Sequence, residues 1–187
     1  PSNGYTPGVP GGSELRPVQP ADALEGPWDP PRLLALLSEL GIEARTFEHE
    51  PVRTVAESKV ATAHVPGTHC KNLFLEERGG TAWLVVLPEE KPLDLRALAD
   101  ALGTRRLSFA SPEHLEERLG TVPGSVSPFA VVNDAGAKVR VVLDRDLLSR
   151  PALKFHPLVS SRTTVLSPDG LLAFLAARSH PPTLVDL

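Results

Sequence analysis

Between Gly120 and Asp134 the chain reads GTVPGSVSPFAVVND, with two glycines and two prolines crowded together ahead of an apolar run. Gly124 can take a backbone angle closed to other residues, and Pro123 and Pro128 each fix one torsion. Ser125 and Ser127 flank Val126 with short hydroxyls. A loop held in one shape can aim several backbone N–H groups into one small concavity. That chemistry suits a phosphate or an oxygen on which negative charge develops. The same G-x-x-x-P spacing in isolation is also an ordinary tight turn entering a strand, so the other reactive residues must decide.

Lys71 could hold a phosphate as a point charge, or be a solvated lysine at the start of a strand. Asn72 beside it could orient a ligand or satisfy buried backbone. His156 lies between Phe155 and Pro157, an apolar setting in which a lone histidine is as readily structural as catalytic. Thr54 stands three residues before Glu57, the spacing of a helix-capping box, and could also face a site. Cys70 between His69 and Lys71 invites a thiol nucleophile, since a neighbouring cation or base lowers a thiol's pKa. Adjacent strand residues face opposite ways, however, and a buried, inert cysteine is the expectation. His64, His69 and Cys70 have no second cluster to complete a metal site, so neither metal nor cofactor is expected. The nucleophile elbow G-x-S-x-G is absent from the sequence.

The chain that must position these groups has 187 residues, 41% apolar and 22% charged, the composition of one soluble domain. A net charge of −4 argues against a broad nucleic-acid-binding surface, so any such partner must be gripped locally. With one cysteine no internal disulfide can form. Apolar runs such as Trp83 to Leu87 are too short to cross a bilayer, and the first residues have neither a basic region nor an apolar signal core. The expectation is a cytoplasmic protein with no membrane partner.

Residues 1–27 are rich in proline and glycine without apolar periodicity and are expected to form an extension outside the domain of residues 28–187. Asp29, Pro30 and Pro31 open a leucine-striped helix that ends at Gly41. A short strand over Ile42 to Glu48, a helix capped by Thr54, and a hairpin of Lys71–Glu77 with Thr81–Leu87 follow. Helices are expected over Asp94–Leu102, from Ser111-Pro112 to Leu119, and from Ser167-Pro168 to Ala176. Strands are expected at Arg105–Phe109 and Lys154–Pro157. Phe129–Val132 and Lys138–Leu143 read as a second hairpin around the turn at Asn133–Gly136. Hairpins mixed with scattered helices predict an α+β fold: a mixed, largely antiparallel, barrel-like sheet with surrounding helices.

Several of these pieces stand in an order that resembles the prolyl-tRNA editing, YbaK-like family, in particular its free-standing ProX or PrdX type. They are the helix closed by Leu40-Gly41-Ile42, the corner Glu48-His49-Glu50-Pro51-Val52 with Thr54 and Glu57, and Pro66-Gly67 followed by Lys71-Asn72-Leu73-Phe74-Leu75. The Gly124–Pro128 loop and Phe155-His156-Pro157-Leu158 with Thr163 and Thr164 complete the set. The resemblance implies a deacylase that removes alanine from mischarged proline tRNA, with water attack assisted by the substrate's own ribose hydroxyl. It assigns catalysis to Gly124, Ser125, Val126, Ser127, Pro128 and His156, the last as a positioning group rather than a proton carrier. It assigns substrate binding to Lys71, Asn72, Thr54 and Ser160, the last departing from the asparagine expected there. The implied partners are the acceptor end of proline tRNA and, transiently, prolyl-tRNA synthetase. The alternatives are editing of serine or cysteine on the same fold, and a tRNA- or synthetase-binding module without catalysis. Oligomeric state is not legible.

Overall fold

The computed structural model describes residues 27–187, so the expected N-terminal extension lies outside the described residues except for Pro27. Helix α1 spans Pro30–Glu39, where Asp29 Oδ1 accepts the Arg32 N–H at 2.9 Å and Leu33, Leu36 and Leu37 face the core. Strand β1 (Ala44–Glu48) leads to the short helix α2 (Val55–Ala61). Thr54 caps α2 by accepting the Glu57 N–H at 3.1 Å. The Glu57 carboxylate answers by accepting from Arg53 N at 2.7 Å, one residue earlier than a standard capping box.

Strands β2 (Thr68–Glu77) and β3 (Ala82–Pro88) form the expected antiparallel hairpin. Helix α3 (Leu95–Leu102) runs from the Asp94 cap to Gly103, which ends it in the left-handed region at φ 64°. Strand β4 (Leu107–Phe109) and helix α4 (Pro112–Leu119, capped by Ser111) follow. Beyond a 3-10 helix at Pro128–Asn133 come β5 (Val139–Asp144), a second 3-10 turn at Arg145–Ser149, and β6 (Leu153–Phe155). Strand β7 (Arg162–Leu166), helix α5 (Pro168–Ala177) and β8 (Thr183–Val185) finish the fold. No helix among the described residues is long and apolar enough to cross a membrane.

The strands make one mixed sheet in the order β1-β7-β6-β2-β3-β5-β8, with β4 attached to β2. Antiparallel ladders join β1 to β7, β7 to β6, and β2 to both β3 and β4. Parallel ladders join β2 to β6, β3 to β5 and β5 to β8. Every residue of β3 is buried, because the sheet is covered on both faces. On one face Leu75, Trp83, Val85 and Leu87 pack with Leu98, Ala99 and Leu107 under α3. On the other, Phe74, Leu84, Val86 and Leu143 pack against α1, α4, α5 and the 3-10 helix.

The second expected hairpin is not there. Pro128–Asn133 is a 3-10 helix, opened by Ser127 accepting the Phe129 N–H at 3.2 Å, and β5 pairs in parallel with β3 instead. The run Phe-Ala-Val-Val does not alternate; a proline behind a serine cap favours a helical turn, and burial of Phe129 to Val132 suits either reading.

Strand β2 carries the feature that matters most below. Along the edge opposite β3 it pairs with β6 only at Thr68 and His69 and with β4 only at Leu75 to Glu77. Between these contacts the edge is bare of strands. With a period of two, Lys71, Leu73, Leu75 and Glu77 lie on the α3 face, and Cys70, Asn72 and Phe74 on the other.

Candidate functional site

At the bare edge of β2 lies a cavity of about 350 Å³. Its walls come from segments far apart in sequence: Arg53, Thr54 and Ser58 at the start of α2, His69 to Leu73 of β2, Gly124 and Val126 of the loop, Lys154 to His156 at β6, and Thr163 of β7. The structure therefore brings together Thr54, Lys71, Asn72, Gly124, Val126 and His156 from the residues singled out in the sequence. It does not bring the others to the cavity wall. Ser125 and Ser127 are buried, Ser127 as a helix cap, and Pro128 is the first residue of the 3-10 helix. Ser160 contributes its carbonyl, which accepts the Val52 N–H at 3.2 Å and ties down the corner before α2.

Gly124 has φ +93°, a backbone angle that side chains rarely adopt, so the expectation of a glycine-dependent loop has a geometric basis. The Ser125 N–H donates to the Val122 carbonyl at 3.1 Å, which closes the turn. The N–H groups of Gly124 and Val126 have no acceptor among the described residues. Both residues line the cavity, and neither N–H is committed within the fold.

His156 is fixed by its Nδ1–H, which donates to the Arg162 carbonyl at 2.8 Å. Burial, the largest influence on it, holds the ring below the ordinary value of 6.5, so it is neutral and Nε2 carries a lone pair. That nitrogen stands 3.5 Å from Ser58 Oγ, a long contact that leaves it available. Behind it, His49 donates from Nδ1 to the Glu50 carbonyl and accepts the Thr163 hydroxyl at Nε2, both at 2.8 Å.

No aspartate or glutamate lines the cavity, whereas Arg53, Lys71 and Lys154 do. Lys154 anchors the floor by donating to the carbonyls of Thr62 and Val65 at 3.0 and 3.2 Å, and burial lowers its pKa. Lys71 has no hydrogen-bond or ion-pair partner among the described residues. Asn72 Oδ1 is shielded from solvent and takes no donor. A buried acceptor without a partner costs free energy until a ligand supplies a donor.

Cys70 also reaches the wall, but its thiol donates to the Thr68 carbonyl at 3.5 Å, and burial pushes its pKa up to about 12. Burial and then Lys154 lower His69, which therefore offers no positive charge to form a thiolate pair. Among the described residues no three His, Cys, Asp or Glu side chains gather as a metal-binding group. Ser58 and Lys154 were not singled out from the sequence, and Thr163 entered only as part of the family resemblance. Each is unremarkable in its own segment, and only the tertiary fold makes them neighbours.

Three comparisons bear on this geometry. The family model described as an aminoacyl-tRNA editing domain matches residues 49–174. The prolyl-tRNA editing protein ProX of Acetoanaerobium sticklandii is 36% identical over 156 residues, covering 83% of this chain and 95% of that protein. The prolyl-tRNA synthetase associated domain-containing protein 1 of Danio rerio is 33% identical over 178 residues, covering 94% and 92%. Among solved structures, a crystal structure of a candidate trans-editing enzyme for prolyl-tRNA synthetase superposes with a TM-score of 0.66 at 24% identity, covering 87% of this chain and 98% of that one.

Proposed function

The chain belongs to the aminoacyl-tRNA editing domain family, and from that premise we propose that this deacylase removes alanine from mischarged proline tRNA in the cytoplasm. The observation that carries the reading is the cavity's charge. In a chain of net charge −4, three cations and no carboxylate line a pocket bordered by Gly124 and Val126, whose backbone N–H groups have no acceptor among the described residues. That combination fits an RNA 3′ end, anionic along its phosphates and about to develop an oxyanion at its ester.

In this reading Lys71 holds the phosphate nearest the terminal ribose, and Asn72 Oδ1 accepts from the α-ammonium of the amino acid. His156 Nε2 accepts a hydrogen bond from a ribose hydroxyl and so fixes the ester's orientation. Water attacks the carbonyl carbon, and the resulting oxyanion sits against the N–H groups of Gly124 and Val126. The ester C–O bond then breaks, the ribose oxygen takes a proton, and alanine and free tRNA leave. An aminoacyl ester is activated, so positioning and oxyanion stabilisation suffice without a protein nucleophile. The high thiol pKa of Cys70 is consistent with that route. Ser125, Ser127 and Pro128 act by holding the loop, Thr54 by capping α2 at the rim, and Ser160 by fixing the preceding corner.

Editing is needed because a synthetase pocket shaped for proline cannot exclude a smaller amino acid by size, each missing methylene being worth only ~1–3 kcal/mol. The test is deacylation of proline tRNA charged in turn with alanine, serine, cysteine and proline, beside the same residues on other tRNAs. Faster release of alanine than of proline is expected. Equal rates, or faster release of proline, would overturn the assignment.

A further inference from the structure

The outer face of the β2–β3 hairpin carries a second concentration of positive charge, away from the cavity. Arg96 of α3 and Arg105 and Arg106 before β4 border a groove of about 480 Å³ on the α3 side of the sheet. Arg78 stands at the hairpin turn, and the Arg140 guanidinium lies 5.3 Å above the Trp83 ring on the same face. Carboxylates also lie in this region: Asp100 lines the groove, Asp94 caps α3 by accepting the Arg96 backbone N–H at 2.9 Å, and Glu77 stands at the end of β2. Glu77 accepts the Arg105 backbone N–H at 3.1 Å, and its pKa is lowered by hydrogen bonds from Thr104 and Arg105.

Arg78, Arg96 and Arg106 are exposed and have no carboxylate partner among the described residues. Arg145, Arg150 and Arg162, by contrast, each pair with Asp or Glu. Strongly basic side chains left unpaired on an acidic protein point to an anionic partner rather than to stability.

Strand β2 sets the geometry that names the partner. Lys71 at the cavity and Glu77 among the arginines lie on the same face of that strand, and at ~3.3 Å per residue they are about 20 Å apart. That distance is too long for one nucleotide and takes several nucleotides of a strand to span. We propose that this arginine face binds the phosphate backbone of the double-helical acceptor stem of the tRNA whose aminoacylated 3′ end occupies the cavity. The inference rests on the deacylase reading for the identity of that RNA. The contacts are to phosphates, so they supply register and affinity, not base recognition.

The test measures binding of uncharged proline tRNA by fluorescence anisotropy from 50 to 200 mM salt. It compares the wild-type chain with the triple variant Arg96→Gln/Arg105→Gln/Arg106→Gln and with the control Arg145→Gln. Removing three phosphate contacts should lower the slope of log affinity against log salt by about 2.7, so the wild type loses roughly 40-fold more affinity than the variant over that range. The control should keep the wild-type slope. Hydrolysis of a 3′-aminoacylated adenosine 5′-phosphate, too short to reach the arginines, should be equal in all three proteins. An unchanged slope in a triple variant with wild-type circular dichroism would overturn the surface assignment. The double variant Arg78→Glu/Arg106→Glu provides the same reading if the triple variant is misfolded. Failure of the wild type to hydrolyse both alanyl proline tRNA and the aminoacylated nucleotide would instead overturn the deacylase reading, which the binding slopes do not depend on.

Discussion

Replacing Gly124 by alanine should abolish most hydrolysis and leave the fold standing. A β-carbon built there meets its nearest neighbour, the Arg53 carbonyl oxygen, at 3.4 Å, an ordinary contact, so steric collision is not the problem. The backbone angle is: at φ +93° an L-residue is strained by about 1–2 kcal/mol, small beside the ~5–15 kcal/mol that holds a domain together. The loop can relieve that strain only by rotating at residue 124, which swings the peptide groups on either side: one presents the Gly124 N–H, and the other carries the Ser125 N–H that closes the turn on Val122 and so sets the position of the Val126 N–H beyond it. Losing one well-aimed oxyanion donor costs about 100-fold to 1000-fold in rate. The assay pairs thermal melting and circular dichroism with single-turnover deacylation of alanyl-tRNA. A melting temperature within a few degrees of wild type with a rate down by two orders of magnitude is expected. A folded variant with a near-normal single-turnover rate would refute the argument and make the loop a turn and nothing more.

Cys70→Ala should leave hydrolysis within a few-fold of wild type, because a thiol with a pKa of about 12 is ionised in only about one molecule in 100,000 at pH 7; loss of most single-turnover activity would restore the nucleophile. Lys71→Gln should raise KM more than it lowers kcat, since it removes a charge that binds ground state and transition state alike; a pure kcat defect in steady-state kinetics would contradict this. His69 and His156 both have folded pKa values below the ordinary 6.5, so the unfolded chain binds more protons as pH falls. Their contribution to stability is therefore full above about 6.5 and is lost as pH drops from there through the folded values. Melting temperatures that decline below pH 6.5 in the wild type, and decline less in His156→Gln, are the expected signature.

The helices were legible in the sequence because their ends are set locally. Asp29, Thr54, Asp94, Ser111 and Ser167 each accept a backbone N–H two or three residues ahead, and such short-range bonds leave a fixed spacing. The β2–β3 hairpin was legible for a similar reason, its Gly79-Gly80 turn lying between two apolar runs. Strands β5 and β8 were harder. Val139 to Asp144 pairs in parallel with β3 some fifty residues earlier, and nothing near it in sequence announces the partner. Strand β7 was overlooked because Arg162 to Leu166 has little composition of its own and owes its form to β1 and β6. The cavity divides in the same way. Lys71, Asn72, Gly124 and His156 sit in locally distinctive settings, whereas Ser58 and Lys154 become visible only when α2 and β6 are folded against each other.

The pairing of β2 and β3 also has a consequence for the order of events as the chain folds. That hairpin closes a loop of a few residues, so it can form in microseconds, while the parallel ladders to β5 and β6 must first close loops of fifty residues or more. Lys71 and Asn72 are thus carried on the earliest structure, and Gly124 and His156 arrive with the late, slow closures that topology imposes. A partly folded chain would expose the two residues proposed to bind substrate with neither the proposed oxyanion donors nor an oriented histidine beside them. It could capture RNA without cleaving the ester, so hydrolysis should appear only with the final folding phase, never in proportion to the secondary structure already formed.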